Sequence, residues 1–266
     1  MLRRASALGL GIALALGAAP AAAEDAPLDG RAIMQRVDAR ARGADETLRA
    51  RWRLVDKSGS ERIHETRTYW RDERARGGGL HSRRLIVFDA PPTVKGTAFL
   101  VWSHLASGEE DDRWVYLPAL RKVRRIAGGD RAHLFAGSDF TYEDLSERAV
   151  DEDEHRLLRS EDLAGVRHYV VESTPKADSA YAKRLLWVDA QTFLVSRIEF
   201  HDRAARPEKS LALRWREADG LWFWERLEMD HARRNHRTVI EVLEIAHDSG
   251  LGEDVFRESA LQRGAP

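Results

Sequence analysis

Cysteine is absent from this chain of 266 residues, and its absence excludes several kinds of chemistry. A chain without thiols has no disulfide framework, no zinc–thiolate centre and no cysteine nucleophile. It also lacks the cysteine on which a bacterial lipoprotein is acylated, so we do not expect the protein to be a lipoprotein itself. A chain of this length can still bury a sufficient hydrophobic core without cross-links.

An excess of charge of one sign is also missing. The chain has 43 basic and 44 acidic residues, a formal net charge of −1. Both signs are interspersed, which is typical of a solvated surface and not of a nucleic-acid footprint or a membrane-binding patch. We therefore expect no nucleic-acid partner and at most transient contact with a membrane.

Long apolar runs are missing except at the N-terminus. Arg3 and Arg4 precede an apolar segment over residues 5–19, and three alanines at 21–23 precede the first acids. This order is that of a secretory signal peptide, and the run is shorter than the roughly 20 residues that span a bilayer. We predict a signal peptide over residues 1–23 with cleavage after Ala23, export to the periplasm of a Gram-negative cell, and a single domain over residues 24–266. An uncleaved anchor is the alternative.

The periodicity of apolar residues changes once along the chain. Over residues 29–42, Ile33, Met34 and Val37 recur at helical spacing, and Asp29 is placed to cap the helix N-terminus. From Thr47 onward the period is two, and short turn signals separate about a dozen segments that alternate in this way up to residue 245. Residues 254–263 predict a closing helix or an irregular segment.

Many short strands without helices between them exclude a parallel α/β fold. We predict a mainly β (α+β) fold: a large curved antiparallel sheet that forms an incomplete barrel, with an N-terminal helix and short helices covering its concave face. Two helices are too few to cover a sheet of this width. Part of the concave face is therefore left for a guest or for the chain's own side chains.

Signals of catalysis or metal binding are weak. The histidines nearest to a ligand pattern, His231 with His236 and His201 beside Asp202, lack metal-site spacing, and the acidic runs at 109–112 and 151–154 lack the spaced oxygen ligands of a calcium loop. No G-x-S-x-G elbow is present. We expect no cofactor, no metal and no enzymatic activity.

The aromatic residues predict either a cavity lining or an ordinary core. All eight tryptophans fall in predicted strands, where large aromatic side chains also pack well. An apolar pocket suits an acyl chain, because each buried methylene gains about 0.8 kcal/mol. Our candidates for the lining of such a cavity are Trp52, Trp70, Phe88, Leu100, Trp102, Tyr116, Phe140, Leu186 and Phe223.

Residues 112–145 carry a resemblance to a known family. The sequence motifs WVYLPAL and GSDFTYEDL in this stretch resemble those of the LolA-like outer membrane lipoprotein-sorting proteins. Lys95 to Ala98, Val101 to Ser103, Tyr181 to Asp189 and Thr238 to Phe256 fit the same family, so the resemblance covers most of the chain. The loop at 127–136 departs from it, because the family has a Ser- and Gly-rich loop at this point.

The resemblance implies an incomplete β-barrel capped by helices and an apolar cavity that takes up acyl chains in the periplasm. It implies a carrier of a lipid or of lipoprotein acyl chains, with an inner-membrane exporter of the resistance-nodulation-division (RND) type as a partner. An adaptor that binds an envelope complex without lipid, and an envelope hydrolase, are the alternatives. The basic run of Arg121, Lys122, Arg124 and Arg125 predicts either a rim for anionic headgroups or a partner, or an edge strand protected by its charges.

Overall fold

Thirteen β-strands make up most of the computed structural model, which describes residues 28–106 and 108–263. The signal-peptide prediction lies outside the described residues. The strands are β1 (Asp45–Val55), β2 (Glu61–Asp72), β3 (Leu80–Ala90), β4 (Ala98–His104), β5 (Asp112–Leu117), β6 (Lys122–Arg125), β7 (Asp153–Leu163), β8 (Val166–Pro175), β9 (Lys183–Asp189), β10 (Val195–His201), β11 (Pro207–Ala218), β12 (Leu221–His231) and β13 (His236–His247).

All thirteen strands belong to one sheet in the order β6-β5-β4-β3-β2-β1-β13-β12-β11-β10-β9-β8-β7. Every neighbouring pair is antiparallel, and the chain's first and last strands, β1 and β13, meet in the middle. Because β6 and β7 each have one partner, the curved sheet does not close. The predicted mainly β fold with an incomplete barrel is confirmed.

One helix, α1 (Gly30–Asp38), lies against the β7 end of the sheet. The Asp29 side chain accepts a hydrogen bond from the backbone N–H of Ala32 at 2.7 Å, as expected of an N-cap. A Cβ on Gly30 would lie 2.7 Å from backbone atoms of His155 and Arg156, so only glycine allows this close approach. No helix in the described part of the chain has both the length and the apolar character needed to cross a membrane.

Alternation along the strands gives the sheet two different faces. The inner face, which carries Trp52, Phe88 and Met229, packs against α1 and against the segment between β6 and β7. The outer face carries Leu85, Leu100 and their neighbours. Residues 249–263, including a short helix α2 (Ala260–Arg263), cover the outer face of strands β2 to β5, so the predicted closing segment exists but lies opposite α1.

Residues 137–145, which we call the signature segment, fill the middle of the inner face. The Phe140 ring lies 5.8 Å from the Trp52 ring, centroid to centroid. Asp139 is fully buried and accepts hydrogen bonds from the Thr238 hydroxyl at 2.7 Å and from the His236 imidazole at 2.6 Å. The signature segment thus fills part of the inner face, where the sequence predicted either a bound ligand or the chain's own side chains.

Candidate functional site

A hollow of about 320 Å³ remains on the inner face, between α1, the signature segment and strands β9 to β12. This volume is at the low end of the roughly 300–1,000 Å³ of small-molecule sites. Its apolar floor comes from alternate residues of four neighbouring strands, and α1 adds two more apolar side chains. These residues are Leu186, Ile198, Phe200, Leu211 and Met229 on the sheet, Phe140 on the signature segment, and Met34 and Val37 on α1.

Charged residues form the wall of the hollow, and most of them are paired. Glu147 accepts hydrogen bonds from Arg42 at 2.9 Å and from Arg84 at 2.6 Å. Burial alone would raise the pKa of Glu147, but the two guanidinium groups outweigh it and lower the pKa from 4.5 to about 2. Glu147 is therefore ionised at neutral pH and holds together chain segments before β1, on β3 and before β7.

A second group of ion pairs lies across the hollow. The Asp153 carboxylate is bound by Arg148 at 2.7 Å and by Arg184 at 2.8 Å. Burial favours a higher pKa for Asp153, but these two cations lower it. The Lys209 ammonium, which is only 1% exposed, lies 2.5 Å from Asp144 in the signature segment. Charged side chains that are paired in this way can be buried, whereas removing one partner strongly destabilises the folded protein.

The wall also contains a serine beside a histidine. The imidazole Nδ1 of His155 lies 2.8 Å from the Ser173 hydroxyl, and its Nε2 lies 2.9 Å from the Val150 carbonyl oxygen. A hydrolytic triad has a carboxylate at the second nitrogen, where this site has a backbone carbonyl. His155 and Ser173 also face each other in the β7–β8 register, so the contact joins the two strands.

Metal-ligand clusters do not occur among the described residues, since no three histidines or acids converge there.

The sequence-predicted lining residues are distributed over both faces. Phe140 and Leu186 line the hollow. Trp52 and Phe88 lie in the core beside the signature segment, Trp70 is buried beneath the Arg42 guanidinium at 4.3 Å, and Phe223 is buried beside His247.

Leu100, Trp102 and Tyr116 were expected in the cavity but lie on the outer face, against residues 249–263. The Trp102 indole N–H donates to the Phe256 carbonyl oxygen at 2.9 Å. Alternation shows which residues share a face, but it does not show which face is the inner one. Whether any of the predicted lining residues contacts a lipid stays a prediction, and only Phe140 and Leu186 enter the proposal below.

The basic run lies at the opposite edge of the sheet from α1. Arg121, Lys122, Arg124 and Arg125 are exposed on and just before the edge strand β6, and none of them lines the hollow. Arg124 pairs with Asp130, and Arg125 pairs with Asp112. Their contact with headgroups or a partner stays a prediction.

Sequence reasoning missed most residues of the hollow. Ile198 and Phe200, Leu211 and Leu213, and Leu227 and Met229 alternate on three consecutive strands, and this pattern could have identified the floor. The charged residues of the wall show no comparable pattern in the sequence. Arg42, Arg84 and Glu147 are far apart in the chain and meet only in the folded protein.

Comparison with known proteins places the chain in a family. The model of DUF1329, described as a protein of unknown function, matches residues 6–148. A second model, described only as an uncharacterized protein, matches residues 81–263. No curated protein is detectably similar in sequence.

Solved structures agree with this placement. A DUF1329 family protein from Desulfovibrio piger is 32% identical with a TM-score of 0.83, covering 87% of this chain and 97% of its own. A protein from Vibrio parahaemolyticus, provisionally named an outer membrane lipoprotein-sorting protein domain, is 29% identical with a TM-score of 0.82, covering 88% and 98%. A LolA superfamily protein from Nitrosomonas europaea shares the fold at 18% identity and a TM-score of 0.69, covering 87% and 99%. The chain therefore belongs to the DUF1329 family, and its fold is LolA-like.

Proposed function

We propose that the protein is a periplasmic carrier that binds a lipid, or an acyl chain of a lipoprotein, in the hollow on its inner face. The observation that carries the proposal is the apolar floor on strands β9 to β12, which α1 and the signature segment leave partly uncovered. Resemblance in fold and sequence to a protein provisionally named for lipoprotein sorting supports the same function.

The size of the hollow limits the cargo. The signature segment already fills the middle of the inner face with Phe140 and its neighbours. About 320 Å³ remains, which favours a single apolar chain over a bundle of chains. Burial of each methylene on the floor gains about 0.8 kcal/mol, so a modest chain length gives affinity that still permits release.

In this proposal, helix α1 moves to open the site. It covers the hollow with Met34 and Val37, is nine residues long, and packs its apolar side chains against β8, β9 and β10. Displacement of α1 would open the floor without separating any strands of the sheet. We further propose that the protein exchanges its cargo with an inner-membrane exporter of the RND type.

Native mass spectrometry of protein purified from the periplasm tests the function directly. We expect an added mass of one lipid or acyl chain per molecule, released on denaturation. The variant Ile198→Trp fills the floor and should lose this mass. Leu243→Trp, a similar exchange at an exposed apolar residue of β13, should keep it.

Thermal unfolding and circular dichroism establish that both variants are folded. A folded Ile198→Trp variant with undiminished lipid mass would contradict the assignment of the hollow. A wild-type protein free of lipid that co-purifies with a protein of the envelope would favour an adaptor.

A further inference from the structure

Arg40 differs from the other arginines that line the hollow. It lies in the connection between α1 and β1 and is half-buried. Its Nε and Nη1 atoms are buried, and within residues 28–106 and 108–263 they have no hydrogen-bond acceptor. Buried donors without acceptors are rare in folded proteins, because they have lost water and gained nothing in return.

The other lining arginines are all matched to acids. Arg42 is paired with Glu147, Arg74 with Asp72, and Arg148 and Arg184 with Asp153. Arg40 has no such carboxylate among the described residues. The charges that act on it are Arg42, which repels it, and Glu147, whose two oxygens already bind Arg42 and Arg84. The wall of the hollow therefore contains one cation whose counter-ion is not supplied by the described chain.

The Arg40 guanidinium is held in a defined orientation. Its central carbon lies 4.4 Å from the centre of the Trp215 ring, and the Trp215 indole N–H is fixed by a 2.7 Å hydrogen bond to the Val195 carbonyl oxygen. A guanidinium that stacks on an aromatic face keeps its N–H edge free, and this edge matches the two oxygens of a carboxylate or phosphate.

Burial and the neighbouring Arg42 lower the pKa of Arg40 to about 10. The group is still a cation at neutral pH. An anionic headgroup beside the guanidinium would relieve the second effect, since it balances the positive charge of the Arg40–Arg42 pair.

From these observations we infer that the hollow binds a single-chain anionic amphiphile, with its carboxylate or phosphate headgroup on Arg40 and its apolar chain on the floor formed by Leu186, Ile198, Phe200, Leu211 and Met229. This inference rests on the proposed function and adds the class of the cargo. Free anions lack the chain that the floor recognises and are not ligands.

Four amphiphiles with the same chain length separate the contribution of the headgroup to binding affinity from that of the apolar chain. Dodecanoate and dodecyl phosphate are anionic, dodecanol is neutral, and dodecyltrimethylammonium is cationic; inorganic phosphate serves as the free anion. Their dissociation constants are measured below micellar concentration by displacement of a neutral fluorescent dye from delipidated mature protein. We expect the two anions to bind about tenfold more tightly than dodecanol, and inorganic phosphate not to compete.

Variants at Arg40 assign the headgroup contact. Arg40→Gln should bring the anions to the affinity of dodecanol and leave dodecanol itself unchanged, while Arg40→Lys should keep part of the preference. Arg49→Gln, at an exposed arginine of β1, should change nothing. Because Arg40 makes no ion pair with the described residues, Arg40→Gln should lower the midpoint of urea unfolding only slightly, through loss of the contact with the Trp215 ring.

The outcomes distinguish the two proposals. If no amphiphile binds the wild-type protein, the proposed function fails and this inference fails with it. If all four bind equally, or if Arg40→Gln keeps the preference for anions, the inference alone is overturned. Displacement of the dye by inorganic phosphate as effective as that by dodecyl phosphate would also overturn it.

Discussion

Glu147 accepts hydrogen bonds from arginines that reach it from two separate parts of the chain, Arg42 ahead of β1 and Arg84 on β3. Its carboxylate is 11% exposed, so little water compensates for the loss of either partner. The wall of the hollow is therefore sensitive to the charge of this one side chain.

The free energy of unfolding should depend on pH through the ionisation of Glu147. Its pKa is lowered from 4.5 to about 2 in the folded protein, so its contribution is complete above about pH 5 and is lost as the pH falls toward 2. Glu147→Gln should lower the free energy of unfolding by about 3 kcal/mol at pH 7. Urea unfolding at several pH values should show this difference narrowing below about pH 5.

Glu244→Gln serves as the control, because Glu244 is 66% exposed in its ion pair with Arg49 and should contribute little. Equal loss of stability by wild type and Glu147→Gln between pH 5 and 2 would show that Glu147 is not the titrating group.

At the scale of elements, the sequence predicted the start of α1 better than its end. Asp29 caps the helix as expected, but the predicted helix extends to residue 42 and the observed helix ends at Asp38. Beyond that point Arg40 stacks on Trp215 and Arg42 reaches Glu147. These tertiary contacts override the helical periodicity of the local sequence.

The position of α1 should depend on Gly30. In Gly30→Ala the new Cβ would lie 2.7 Å from the β7 backbone, so α1 has to move away from the sheet. We expect a loss of about 1–3 kcal/mol in unfolding free energy together with weaker amphiphile binding. Urea unfolding and the dye-displacement measurement check both effects.

Gly129→Ala is the matched control, because nothing lies within 4 Å of a Cβ at that glycine. Unchanged binding and stability in Gly30→Ala would mean that α1 accommodates the methyl group without moving.

At the scale of the whole molecule, the sheet separates two apolar regions. The inner region contains the signature segment and the hollow, and the outer region is closed by residues 249–263. Phe256 is completely buried in the outer region, and Phe140 lines the hollow. The two faces can therefore be altered independently.

Two phenylalanine truncations test this independence. Phe256→Ala should cost about 3–5 kcal/mol of stability but leave the dodecanol affinity of the folded protein unchanged. Phe140→Ala should lower stability and alter binding as well. Chemical unfolding and dye displacement provide the two measurements, and altered affinity in a folded Phe256→Ala variant would contradict the separation.

The sequence by itself determined the class of fold, because an alternating pattern over most of the chain leaves little choice but a large antiparallel sheet. About a dozen strands were expected between Thr47 and residue 245, and the described part of the chain has thirteen strands between Asp45 and His247. Pairing order followed from short turns, except for the meeting of β1 with β13.

Tertiary structure decided which face is inner and what fills it. Leu100 and Phe99 are adjacent and both fully buried, and only the positions of residues 249–263 and of the signature segment distinguish their faces. Part of the charged wall depends on contacts between residues more than 60 positions apart, such as Arg84 with Glu147. Local periodicity carries no information about such pairs, since ionic contacts depend on where segments meet in space.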